Sequence, residues 1–244
     1  MVVLHLGSVF RRWVAVFCAC LLLGAAVRWG LGAELSGGTL GLRGAVSRVP
    51  VSERVVALTF NVAATHAMAL SNVLQAAGLP ATVFISGHDA AANRAAVQSL
   101  AAAGAEVETL GWDGTAPGGQ SAAALAASLR RAAASLAADT GTPPLFFRPP
   151  NGGVSGALLH AARAAGLGVV TQTATVGGAD SALSAQVEVD LSPGAILNLP
   201  AGVSSTALAD IADGLRLRGY EAVTLAGLFA LAEGAAAVSV PSLT

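Results

Sequence analysis

The sequence predicts an α/β fold in which a parallel sheet curls into a closed or nearly closed barrel. Three observations carry this expectation. Apolar, strand-like runs alternate with helical stretches along most of the chain. The helical stretches reach about ten residues or more, enough for βαβ crossovers. Roughly seven such units fit into fewer than about 200 residues, which favours a barrel over an open, doubly wound sheet.

The run from Val55 to Phe60 in "RVVALTF" predicts the first strand, which stops at the polar Asn61. "MALSNVLQAAG" follows with Met68, Leu70, Val73 and Leu74 at helical spacing, and Gly78 supplies its C-terminal cap. "PATVFIS" predicts the second strand, and "AAANRAAVQSLAAAG" one helix ending at Gly104. "EVETL" makes a third strand. "QSAAALAASLRRAAASLAADTG" is the longest helix, with Leu125, Leu129 and Leu136 on one stripe. "LFFRPPNG" predicts a strand ending at Arg148, "SGALLHAARAAG" a helix with His160 on its solvent flank, and "GVVTQTA" a strand. A polar turn region to Leu191 precedes strand "AILNL", helix "TALADIADGLRLRG" and strand "AVTLAGL". Barrel chemistry gathers at the C-terminal strand ends. That places Asn61, Ser86 to Asp89, Leu110 to Gly114, Arg148 to Asn151, Thr171 to Thr175 and Asn198 to Ala201 around one mouth.

Composition bounds the partners. Hydrophobic residues make up 54% of the 244-residue chain and charged residues 11%, with 29 glycines. The net charge is -1 and there is no lysine, so no basic stripe exists to neutralise a run of phosphates, and nucleic acid is excluded as a partner. Arg11 and Arg12 precede the apolar run Trp13 to Val27, the export pattern, which places the rest of the chain outside the cytoplasm. Residues 1–33 are read as a signal peptide or a signal anchor, with small residues at Ala26 and Ala33 fitting the first and the membrane partnership the second. Residues 34–49 are read as a linker, 50–232 as the folded domain and 233–244 as a tail. Cys18 and Cys20 both fall in the apolar run, so the exported part has no disulfide, thiolate metal site or cysteine nucleophile.

The succession "VVALTFN", "ATVFISG", "GAEVETLGWDG", "LFFRPPNG", "GLGVV", "PGAILNL" and "GLRLRGYEAVTLAGL" resembles the NodB homology domain of polysaccharide deacetylases, carbohydrate esterase family four. It is most similar to the sporulation-type, membrane-anchored branch. The resemblance covers about Ala45 to Ala232 and implies the family's distorted (β/α) barrel. In active members a first strand ending Thr-Phe-Asp-Asp-Gly supplies a base and a metal-ligating carboxylate, and a His-x-x-x-His pair completes the site. Laid on this chain, the resemblance puts the base at Asn61, the metal carboxylate at Val62, the two histidines at Leu110 and Gly114, and a late general-acid histidine at Pro200. Only the arginine-proline segment survives, as "RPPNG" with Arg148.

The family reaction needs a metal-bound water whose pKa falls from roughly 15.7 to about 7. Such an ion, zinc for example, needs at least about three converging donors. Val62, Leu110 and Gly114 offer no side-chain donor, and the Asn61 amide accepts no proton near neutral pH. The expectation is therefore a domain without a metal cofactor, catalytically inactive, that binds N-acetylated cell-wall glycan or serves as an envelope scaffold. The alternative is a C–N hydrolase acting on peptidoglycan or chitin-like glycan through a rebuilt site of His66, His88 and Asp113. Under the plainer readings His66 is a helix-start residue and Asp89 a helix N-cap. Arg148 pairs with Glu108 or Asp113, holds a ligand, or bonds strand carbonyls. Trp112 stacks on a sugar ring or closes the mouth. Asn151 joins Arg148, Trp112, Asp113, His66 and His88 as a substrate-binding candidate.

Overall fold

The computed structural model describes residues 44–115 and 119–238. The segment Trp13 to Val27 lies outside them, and no helix among the described residues is long and apolar enough to cross a membrane. The elements run β1 (Val55–Val62), α1 (Ala64–Ala77), β2 (Thr82–Ile85), α2 (Gly87–Ala92), α3 (Arg94–Ala102), β3 (Glu106–Thr109) and α4 (Ala122–Thr140). They continue with β4 (Phe146–Phe147), a 3-10 turn (Pro150–Gly152), α5 (Gly156–Ala164), β5 (Gly168–Val169) and β6 (Ala174–Thr175). The last are α6 (Asp180–Asp190), β7 (Ile196–Leu199), α7 (Ser205–Leu217), β8 (Glu221–Val223) and α8 (Leu225–Val238).

The strands form one 8-stranded parallel sheet in the order β5-β4-β3-β2-β1-β7-β6, with β8 also paired to β1. This is a curled half-barrel, the α/β architecture the sequence predicts. β1 is the centre because it is apolar on both faces. Val56, Leu58, Phe60 and Val62 pack against the surrounding helices. Val55 and Ala57 face the interior with Phe84, Phe146, Val170 and Ile196. The interior is closed from below by α8, whose Phe229 stacks on Phe146 with ring centroids 4.9 Å apart. Two buried polar side chains hold that plug. Thr82 Oγ1 accepts from Leu225 N at 2.9 Å, and Glu106 Oε2 accepts from Ala226 N at 3.1 Å.

Several elements differ from the sequence reading. The helix expected through Gly104 is broken at Asn93, whose side chain caps α3 by accepting from Ala96 N. Strand "GVVTQTA" is split into β5 and β6, and the polar region before Leu191 contains α6. The run "AVTLAGL" changes from β8 to α8 at Thr224, and α8 continues to Val238, into the expected tail. The expected linker gives its last residues to the fold. Val46 bridges to Val170 and Arg48 to Ala195, so residues 45–49 run from the β5 edge to the start of β7 and span the open seam. Val49 is buried there, with its N–H on Gly194 O at 3.0 Å.

Candidate functional site

Strand alternation sets the mouth. On β1, Thr59 and Asn61 lie on one face, and the register pairs Thr59 with Asn198 and Asn61 with Phe84. Asn61 is the exposed residue in an otherwise buried strand. Arg148 follows β4 and is only 1% exposed. Its Nη1 donates to Asn61 Oδ1 at 3.0 Å and to Asn198 Oδ1 at 2.9 Å, and its Nη2 to Thr171 O at 3.3 Å. The guanidinium carbon sits 4.0 Å from the Phe84 ring centroid, and Nε makes no hydrogen bond among the described residues. Burial pushes the pKa of this group down to about 9, because the low-dielectric interior disfavours its charged form.

The structure thus joins Asn61 and Arg148 and adds Asn198 and Thr171. The sequence places both of these at the mouth but gives neither a role. The signal for Asn198 is present in "AILNL", a polar residue near the end of a buried strand. Of the partners considered for Arg148, a backbone carbonyl is found, but Thr171 lies in the break between β5 and β6 and not in a strand. Glu108 Oε2 instead accepts from the backbone N–H groups of Leu145 and Phe146, each at 2.7 Å.

The remaining candidates lie apart from that network. His66 is exposed in the first turn of α1, with Nδ1 3.1 Å from Thr65 Oγ1. His88 is exposed and bonds through its backbone N–H to Trp112 O at 2.9 Å. Asp89 is not the N-cap of α2. Ser86 is, accepting from Asp89 N at 3.0 Å while its hydroxyl donates back to Asp89 Oδ2 at 2.8 Å, a reciprocal arrangement of the capping-box kind. Asp113 is exposed, and so is Asn151, held at φ 58 in the turn after Arg148. Trp112 is half-buried, with the Arg131 guanidinium carbon 3.5 Å from its ring centroid. A Cβ on Gly87 would lie 2.7 Å from Trp112, so the ring packs directly on the start of α2. His160 is exposed on α5, as expected.

The positions that the resemblance assigns to a metal are occupied as follows. Val62 is 2% exposed and packs in the layer between sheet and helices. Leu110 leans on the interior cluster, and Gly114 has φ +65 with the Cβ direction facing Ser86. Among the described residues no group of three or more His, Cys, Asp and Glu is placed to hold an ion.

The polysaccharide deacetylase family model matches residues 48–170, about half of the chain. The chain belongs to the polysaccharide deacetylase family. Solved structures agree on the fold. The wild-type CE4 family pseudoenzyme from Bacillus anthracis is 22% identical, with a TM-score of 0.69 over 76% of this chain and 69% of its own. A mutant of that pseudoenzyme with restored enzymatic activity gives 20% identity and a TM-score of 0.70 over 76% and 71%. The family 4 acetyl xylan esterase from Clostridium thermocellum, in complex with a cobalt ion, is 26% identical with a TM-score of 0.63 over 72% and 91%. No curated protein matches the chain. Within this family fold, the hydrogen-bonded network at the mouth of the present chain joins two asparagine amides to one guanidinium.

Proposed function

We propose that this chain is a non-hydrolysing member of the polysaccharide deacetylase family, exported and held at the membrane by its N-terminal apolar run, that binds N-acetylated cell-wall glycan. The observation that carries the reading is the bond from Arg148 to Asn61 Oδ1, an amide where the resemblance expects a carboxylate. An amide holds no negative charge and takes no proton from water near neutral pH. The residues at the metal positions do not fit a divalent ion. Val62 is turned into the apolar layer, and Leu110 and Gly114 bring no donor atom. The resemblance to the sporulation-type branch supports an envelope setting, and membership of the polysaccharide deacetylase family supports a polysaccharide as the ligand.

The rebuilt-site alternative would require His66, His88 and Asp113 to converge, and no such cluster is present among the described residues. The deciding assay measures acetate released from peptidoglycan and chitin oligomers by the purified full chain with zinc, cobalt or manganese supplied. No release and no stoichiometric metal are expected; turnover with tightly held metal would sink the proposal.

A further inference from the structure

We propose that the barrel mouth is a receptor for the carboxylate of an acidic sugar, with the Nδ2 groups of Asn61 and Asn198 as its donors and the buried Arg148 guanidinium as the charge behind them. The inference rests on the glycan-binding reading above and narrows it to a class of ligand.

The orientation of the two amides follows from their partners. Arg148 Nη1 donates to the Oδ1 atom of each asparagine, which turns each Nδ2 away from the guanidinium. Neither Nδ2 has a protein partner among the described residues. The side chains are neighbours, because the register sets Asn198 beside Thr59, two residues before Asn61 on the same face of β1. Asn61 is exposed and Asn198 half-buried, so both are within reach of a ligand. An amide whose oxygen bonds a cation is polarised and becomes a better donor through its nitrogen. Beside Asn61, α1 starts at Ala64 with no side-chain cap and no acidic residue in its first turn, leaving the positive end of its dipole uncompensated.

Such a surface offers donors and positive potential. An ionised carboxylate is acceptor-only and negative, so it matches on both counts, whereas a sugar hydroxyl brings no charge. The guanidinium meets only neutral oxygens among the described residues, those of Asn61, Asn198 and Thr171, leaves Nε unbonded, and has its pKa pushed down by burial. A bound anion nearby offsets that desolvation.

The test is a titration of the isotopically labelled full chain with D-glucuronate, D-glucose and chitotetraose, following the side-chain NH2 resonances of Asn61 and Asn198. Glucuronate is expected to shift both saturably and glucose to leave them unmoved. Asn61→Asp puts a carboxylate in the ligand's place and is expected to weaken glucuronate binding by about tenfold or more. Asn198→Asp provides the same test should the first variant misfold. Equal responses to glucose and glucuronate, or an affinity within about twofold in a folded variant, would overturn the inference. Chitotetraose bound without any response to glucuronate also overturns it, yet leaves the glycan-binding reading standing. Acetate released from chitotetraose sinks the non-hydrolysing reading, whichever sugar binds.

Discussion

Arg148 and Asn61 make a hydrogen bond in which only the donor is charged. Placing a carboxylate at position 61 charges both ends, which adds an ion-pair attraction to a hydrogen bond that the guanidinium already assists. Asn61→Asp is therefore expected to stabilise the fold by about 1 kcal/mol at neutral pH, read as a higher urea midpoint with an unchanged slope. The sign with pH follows from linkage. A carboxylate beside a guanidinium has its folded pKa depressed, so the gain is present above the unfolded Asp value and is lost as pH falls through the folded one. A midpoint equal to wild type near neutral pH would show that the guanidinium does not feel position 61. Residue identity alone made half of this legible. Asn61 and Arg148 stand out as polar residues at the ends of apolar strands, but Asn198 lies 50 residues from Arg148 and no local pattern joins them.

At the scale of elements, short strands lean on side chains where ladder bonds run out. β3 and β4 share one register pair, Thr109 with Phe147, and the N–H groups of Leu145 and Phe146 are taken by Glu108 Oε2. Glu108→Ala strands two buried donors and is expected to cost roughly 2–4 kcal/mol, while Glu108→Gln keeps an acceptor and costs less; chemical denaturation of both variants checks the order. The seam segment is held as tightly. Gly194 has φ +72, and a Cβ there would lie 1.7 Å from Val49 O. Gly194→Ala must displace residues 45–49 or strain the backbone, and a loss of about 2 kcal/mol or more is expected in the same measurement. The long apolar elements were legible because their periods are clean, as in α4 with Leu125, Leu129 and Leu136 buried. α6 was not, since it buries only Leu183 and Val187 among acidic and small residues, which makes it resemble a polar turn. The break between β5 and β6 was hidden as well. "GVVTQTA" has continuous strand propensity, and only the third dimension shows Thr171 and Thr173 turned towards Val46 and Ser47.

Across the whole molecule, the family fold is present, and its mouth holds a buried guanidinium bonded to neutral oxygens. Order of strands and helices gave the architecture away, because crossover connections leave few topologies open. The chemistry is carried by a few side chains, and their absence is as readable as their presence. Val62, the position that the resemblance assigns to the metal carboxylate, makes the point in three dimensions: it is a core residue of the layer between sheet and helices, where an apolar side chain packs. An ion that binds only the native state stabilises it by RT ln(1 + [L]/Kd), about 2.7 kcal/mol at a hundredfold excess over Kd. A native zinc site would therefore raise the thermal midpoint of the full chain as zinc is added, and chelator would lower it. With Val62, Leu110 and Gly114 in the positions that the resemblance assigns to the ligands, neither addition is expected to move the midpoint. A saturable rise with zinc, reversed by chelator, would instead require donors that this mouth does not present.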